Sequence, residues 1–131
     1  MNSVNHVLML GNLTRDPELR YTPAGTAVCQ LGVALNRRWK DQAGEPQQET
    51  TFVEVTVWAK QAETVSAYLT KGRAVAIEGR LQQDTWETEA GERRSRLKVV
   101  AQRVTFLSGT MQQSAPEGEA APDLVTEEAE R

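Results

Sequence analysis

From Thr51 to Ala59 the chain alternates. Val53, Val55 and Val57 fall on one side of an extended strand, and Phe52, Glu54, Thr56 and Trp58 fall on the other. Three valines in phase make a core face, since β-branched side chains suit a pleated, half-buried surface. A chain that holds such a strand must build a sheet around it. The opposite face needs its own explanation, because it sets two large aromatics beside a carboxylate and a hydroxyl. Either a second surface packs there, such as a subunit interface, or a ligand stacks there.

The flanking sequence extends the pattern. Val4 to Leu13 is rich in Val, Leu and Met and ends at Gly11-Asn12, which predicts a strand running into a turn. Arg15 to Gly25 is punctuated by Pro17, Pro23 and Gly25 and reads as a loop. Ala27 to Leu35 alternates again, with Cys29, Leu31, Val33 and Leu35 on one face. Arg37 to Thr50 is polar, contains Gly44 and Pro46, and reads as a long exposed hairpin loop. Over residues 60–71 the period changes: Ala62, Val65 and Leu69 sit at i, i+3 and i+7, which predicts a helix, with Gly72 as its C-terminal cap. Val75, Ile77, Gly79 and Leu81 return to period two. A turn falls at Ala90-Gly91. Leu97, Val99 and Ala101 share a face of the last strand, and the shift of phase to Val104 and Phe106 predicts a bulge.

Three strands, one helix and two strands is the order of an all-β, five-stranded OB-fold barrel with one helix between strands 3 and 4. Another small five-stranded barrel, or a ferredoxin-like α+β fold, shares parts of that count.

The patterning stops at Phe106, and all seven aromatics lie at or before it. Residues 109–131 are mostly Glu, Ala, Gln, Pro and Ser, with Met111, Leu124 and Val125 the only large apolar side chains. Such a segment buries too little surface to offset its ordering entropy. The expected organisation is one domain over residues 1–108 and a disordered acidic tail over residues 109–131. This division explains the formal net charge of −3. Residues 1–109 hold fourteen Lys and Arg against twelve Asp and Glu, whereas residues 110–131 hold one Arg against six Asp and Glu. The domain is therefore slightly basic, which permits a polyanionic ligand.

Cys29 is the single cysteine and His6 the single histidine, so neither an intrachain disulfide nor a Cys/His zinc site can form. No cofactor or metal is expected. The N-terminus lacks a basic stretch followed by an apolar run, and no apolar run approaches the ~20 residues that span a bilayer. A reducing, cytoplasmic setting without membrane attachment is the expectation. No paired carboxylates or Ser/His/Asp arrangement stand out, so an enzyme such as a nuclease or nucleotide hydrolase is disfavoured.

Two further tryptophans bear on the aromatic face. Trp39 lies in Arg37-Arg38-Trp39-Lys40 and Trp86 in Gln83-Asp84-Thr85-Trp86-Glu87. Neither has the apolar neighbours of a core strand. A lone tryptophan in a small β protein is more often core or interface than ligand platform. Four aromatics, two on the non-core face of a strand and two in polar hairpins, favour stacking. An indole face accepts any base, and neighbouring cations meet phosphate. On local sequence, Arg37, Lys40, Arg80, Arg94 and Arg96 are candidate phosphate contacts. Tyr21 and Tyr68 read as packing residues.

Several segments taken together resemble the bacterial single-stranded DNA-binding protein family. They are Gly11-Asn12-Leu13, Asp16-Pro17-Glu18-Leu19-Arg20-Tyr21, Trp39-Lys40-Asp41, Tyr68-Leu69-Thr70-Lys71-Gly72 and Ile77-Glu78-Gly79-Arg80-Leu81, with Trp86 ahead of the Gly91 turn. They span residues 4–107. The resemblance implies an OB fold, usually a homotetramer (a dimer is the alternative), that wraps single-stranded DNA without reading its sequence in replication, recombination and repair. It implies base stacking on Trp39, Phe52, Trp58 and Trp86, and phosphate contacts from Arg20, Lys60 and Lys71. Two departures stand out. Asp84 and Thr85 precede Trp86 where the family often has basic residues, which is expected to weaken phosphate attraction. The chain also ends Thr126-Glu127-Glu128-Ala129-Glu130-Arg131, without the Pro-Phe tip by which members recruit replication and repair proteins, so recruitment by that route is doubtful. A protein-interaction subunit on the same fold, such as a primosome-type accessory factor, is the competing reading.

Overall fold

The computed structural model describes residues 2–107. They form β1 (Val7–Leu13), β2 (Glu18–Tyr21), β3 (Ala27–Lys40), β4 (Pro46–Trp58), α1 (Ala59–Tyr68), β5 (Ala74–Glu87) and β6 (Arg93–Phe106). The strands make one sheet in the order β1-β5-β6-β4-β3-β2, closed by a short β1–β3 pairing. All pairings are antiparallel except β4 with β6, where Val55 lies opposite Val99 and Thr56 opposite Val100. Five of the strands close the barrel, and the helix follows the third of these. This is the expected OB-fold order. The tail read at residues 109–131 lies outside the described residues.

The period-two positions fill the interior. Cys29, Leu31 and Val33 of β3, Val55 and Val57 of β4, and Val75 and Ile77 of β5 are fully buried. The helix caps one end of the barrel with Ala62 and Val65, and Leu69, just beyond it, is buried as well. Burial of such side chains contributes about 1.5–3 kcal/mol each. Gln61, also on α1, ties the helix to β6: its amide nitrogen donates to the Gln102 carbonyl, 3.4 Å, and its oxygen accepts from the Val104 N–H, 2.8 Å. The bulge read from the phase change is present. Glu78 pairs with Arg103 and Gly79 with Ala101, which leaves Gln102 as the extra residue. A Cβ on Gly79 would run into the Val100 carbonyl, so the glycine is what lets the two backbones approach there.

Three local readings change. The stretch taken as a loop contains β2, in which Leu19 turns inward and pairs with Cys29. The prolines on either side keep this strand to four residues. The stretch taken as a long hairpin loop is mostly paired strand. The β3–β4 ladder continues to Lys40 opposite Pro46, and the turn is only residues 41–45. Asp41 closes it by accepting from the Ala43 and Glu45 N–H groups, both at 2.9 Å. This arm projects beyond the core and is polar on both faces, so its pairing leaves no apolar alternation. Gly72 does not cap the helix. The chain leaves α1 at Leu69 in extended conformation, and Gly72, with φ +92°, sits in the following turn, its N–H donating to the Leu13 carbonyl at 2.9 Å.

Candidate nucleic-acid interface

Residues that face each other across a ladder share a sheet face, so the register assigns each side chain to a side. On β4 the outward row is Phe52, Glu54, Thr56 and Trp58, as the alternation predicts. Opposite them on β3 lie Ala34, Gly32, Gln30 and Val28. Val28 in turn faces Arg20 on β2, which puts Arg20 in the Trp58 row. Across the parallel junction Thr56 meets Val100, and Val100 faces Arg80. The same outer face therefore continues along β5 through Arg80, Gln82, Asp84 and Trp86, and along β6 through Lys98, Arg96 and Arg94. Phe52, Trp58 and Trp86 share one continuous surface with Arg20, Arg80, Arg94 and Arg96.

Trp39 does not share it. It faces Gln47 in the β3–β4 arm, in the row of Arg37, Glu49 and Thr51, on the reverse side of the ladder from Phe52. All four aromatics are exposed: Phe52 at 72%, Trp86 at 46%, Trp58 at 41% and Trp39 at 38%. None serves as core within the chain. Thr56, by contrast, is covered: its hydroxyl donates to Gln30 Oε1 at 3.1 Å and it is 1% exposed.

The cations are mostly engaged already. Arg37 lies over the Trp39 ring, 4.2 Å from its centroid, and its Nη1 donates to Glu49 Oε1 at 3.1 Å. Arg20 donates to Glu18 at 3.0 Å and Arg94 to Glu92 at 2.9 Å. Arg80 donates to Gln82 Oε1 at 3.1 Å. The partners Glu49, Glu18 and Glu92 are exposed on the protein surface, where an ion pair contributes little and phosphate can compete for the cation. Lys40 stands at the foot of the hairpin turn, opposite Pro46. Lys60 lies on α1, two residues beyond Trp58, and Lys71 lies in the turn after the helix, where its N–H donates to Asp16 Oδ1 at 2.8 Å. The sheet register does not bring these last two onto the outer face.

Asp84 is not an isolated carboxylate. Gln82 Nε2 donates to its Oδ1 at 3.1 Å, Lys98 Nζ sits 3.0 Å from its Oδ2, and Arg96 faces it across the ladder. Hydrogen bonds from Gln82 and then Lys98 hold its carboxyl below the ordinary value of 3.8.

The structure adds residues that the sequence reading passed over. Arg38 faces Gln48 on the Phe52 side of the arm, and the alternation of Arg38 with Trp39 was a signal for this. Arg15, read as part of a loop, reaches Glu54 on β4: Nη2 to Oε1 at 3.3 Å and Nη1 to Oε2 at 3.4 Å. No local sequence signal links these two. Among the described residues there is no cluster of His, Cys, Asp and Glu able to hold a metal ion, and no helix long and apolar enough to cross a membrane.

Comparison with known proteins places the chain in a family. The single-stranded DNA-binding protein of Treponema pallidum is 44% identical over 111 residues, covering 85% of this chain and 62% of the relative. That of Wolinella succinogenes is 43% identical over 116 residues, covering 88% of this chain and 72% of the relative. The chain thus spans between three-fifths and three-quarters of these relatives. A deletion mutant of the single-stranded DNA-binding protein from Thermus aquaticus superposes with a TM-score of 0.73 at 32% identity, over 81% of this chain and 51% of that one. A Plasmodium falciparum protein, described as an SSB complex with ssDNA, shares the fold with a TM-score of 0.75 at 22% identity, over 82% and 98% of the two chains. The profile of the Single-strand binding protein family matches residues 4–107, essentially the whole folded domain, and the chain belongs to that family.

Proposed function

We propose that this chain binds and protects single-stranded DNA in replication, recombination and repair, with little dependence on base sequence. The observation that carries the reading is the outer sheet face, on which Phe52, Trp58 and Trp86 stand exposed among Arg20, Arg80, Arg94 and Arg96. Stacking contributes about 1–3 kcal/mol per base and tolerates any base. The cations add a salt-dependent attraction through counterion release. Trp39, with Arg37 over its ring and Lys40 beside it, forms a second platform on the arm. Lys60 and Lys71 extend the phosphate path past the helix. The protein acts as a binding module and not an enzyme, without cofactor or metal, in the cytoplasm at the nucleoid.

A homotetramer, or a dimer, is part of the proposal. On β1, Leu8 and Leu10 are exposed, and β1 pairs with β3 only at Asn12 and Leu13, so one edge of Val7–Gly11 stays unpaired within the chain. An open edge carrying apolar side chains invites a second copy. Sedimentation at several concentrations distinguishes monomer, dimer and tetramer. Titration with poly(dT), followed by intrinsic tryptophan fluorescence at two salt concentrations, tests the DNA reading. Strong quenching with a salt-dependent affinity is expected. Little quenching at low salt sinks it.

A further inference from the structure

Residues 36–50 are all exposed, so the β3–β4 arm has no core to hold its side chains. Trp39 is held nonetheless. Arg37 stands two residues before it, on the same face and opposite Glu49. Its guanidinium lies 4.2 Å from the centroid of the indole, and its Nη1 donates to Glu49 Oε1 at 3.1 Å. A planar guanidinium stacks on an aromatic face and carries a rigid fork of donors, so it serves the ring and the carboxylate together. Arg20 and Arg94 differ: among the described residues each is tied to a carboxylate and to no ring. A phosphate that competes for Arg37 has to displace both of its partners.

The ring also has an open side. A groove of about 500 Å³ is bordered by Trp39, Arg38, Lys40, Pro46, Gln47 and Gln48, and Arg37 does not line it. Among the described residues no carboxylate pairs with Arg38 or Lys40. The groove thus offers an aromatic surface to a base and two cations to its phosphate. Ordering a side chain on binding costs affinity, and a group held beforehand avoids that cost. Arg37 and Glu49 hold the indole before any ligand arrives.

We propose that Arg37 is a positioning residue and not a phosphate contact: braced by Glu49, it backs the Trp39 indole, so that one nucleotide of a single strand enters the groove with its base on the open side of the ring and its phosphate toward Arg38 and Lys40. The inference rests on the single-stranded DNA reading above and deepens it at the arm. Its test uses the full chain and its R37A, K40A, E49Q and E49A variants. An end-labelled thymidine strand of about 30 nucleotides, longer than one OB fold covers, is titrated by anisotropy at several salt concentrations. R37A should lower affinity about three- to tenfold, the cost of ordering one side chain on binding, and leave the slope of log K against log salt unchanged. K40A should make that slope shallower by about 0.7, the loss of one contact. E49Q and E49A remove the same charge, but only Gln still accepts from Arg37, so E49Q should bind more tightly than E49A. In the DNA-free W58F/W86F double variant, where Trp39 is the one tryptophan, R37A should lower the anisotropy of the indole emission. A slope that falls in R37A as it does in K40A makes Arg37 a phosphate contact and overturns the proposal. An indole equally mobile with and without Arg37 overturns it too, and both outcomes leave the DNA reading intact. Failure of the wild-type chain to bind the strand at low salt overturns that reading and this one with it.

Discussion

Lys98 Nζ lies 3.0 Å from Asp84 Oδ2, reaching diagonally from β6 to β5 on the surface that carries Trp86. The lysine side chain is 13% exposed and the aspartate 33%. The carboxylate thus consumes one cation and also places it. Replacing Asp84 with Asn should free Lys98 for phosphate. Affinity for single-stranded DNA should rise, and the slope of log K against log salt should steepen by up to about 0.7, the release expected for one added contact on a single strand. Lys98→Ala should do the opposite and leave a bare carboxylate beside Trp86. An unchanged slope in D84N would show that Lys98 stays away from the DNA. The pair also carries a pH signature. Because the folded state holds the Asp84 carboxyl below 3.8, its contribution to stability is complete above that unfolded value and fades as pH falls through the lower folded value. Melting temperatures of the wild type and D84N should therefore differ near neutral pH and converge in strong acid.

Gly79 tests the barrel's geometry. A Cβ there would meet the Val100 carbonyl oxygen, with the Val100 carbonyl carbon and the Ala101 Cα within about 3.1 Å. All three atoms belong to the bulged strand, so none can rotate away. Gly79→Ala should cost about 3 kcal/mol, at the upper end of overpacking. Gly44→Ala is the comparison. Its φ of +81° strains any side chain, but nothing lies within 4 Å, so the cost should be nearer 1 kcal/mol. Urea denaturation of the two variants separates steric from conformational effects, and equal losses would contradict the assignment.

Ala59 has φ +61°, the one non-glycine residue in the left-handed region among those described. It joins Trp58 to the helix, so the outward turn of the indole and the start of α1 depend on a backbone state that costs a side chain roughly 1–2 kcal/mol. Ala59→Gly relieves that cost and adds some freedom to the unfolded chain, worth about 0.4–1 kcal/mol against folding. A net gain of up to about 1 kcal/mol is expected in denaturant melts. Destabilisation by A59G would mean the left-handed turn is not maintained in solution.

What the sequence made legible follows the physics of burial. Val53, Val55 and Val57 announce their strand because one face is dry and the other is not, and Phe52 and Trp58 are placed by the same alternation. The helix was readable from Ala62, Val65 and Leu69 for the same reason at a different period. Where both faces are wet the signal vanishes. The arm from Arg37 to Thr50 is paired on both sides of its five-residue turn, yet it read as a loop, and the side on which Trp39 sits could not be told without the register. The Arg15–Glu54 and Lys98–Asp84 pairs depend on which strands become neighbours. The first joins residues 39 positions apart, from the connection between β1 and β2 to β4, and no local pattern encodes it.

The placement of Trp39 makes a prediction about strand length. Phe52, Trp58 and Trp86 share the outer face, whereas Trp39 stands on the reverse side of the β3–β4 arm. A short oligonucleotide of about 8 nucleotides, within the range one OB fold covers, can follow the outer face but cannot also pass round the arm. Trp58→Ala should therefore weaken short and long strands alike, by about 1–3 kcal/mol. Trp39→Ala should weaken a strand of roughly 30 nucleotides by a similar amount and scarcely affect the short one. Anisotropy titrations of end-labelled oligonucleotides at both lengths read this directly, without relying on the tryptophans that the variants remove. If W39A weakens the short strand as much as W58A does, the DNA reaches both sides of the arm within a few nucleotides, and the two platforms are one.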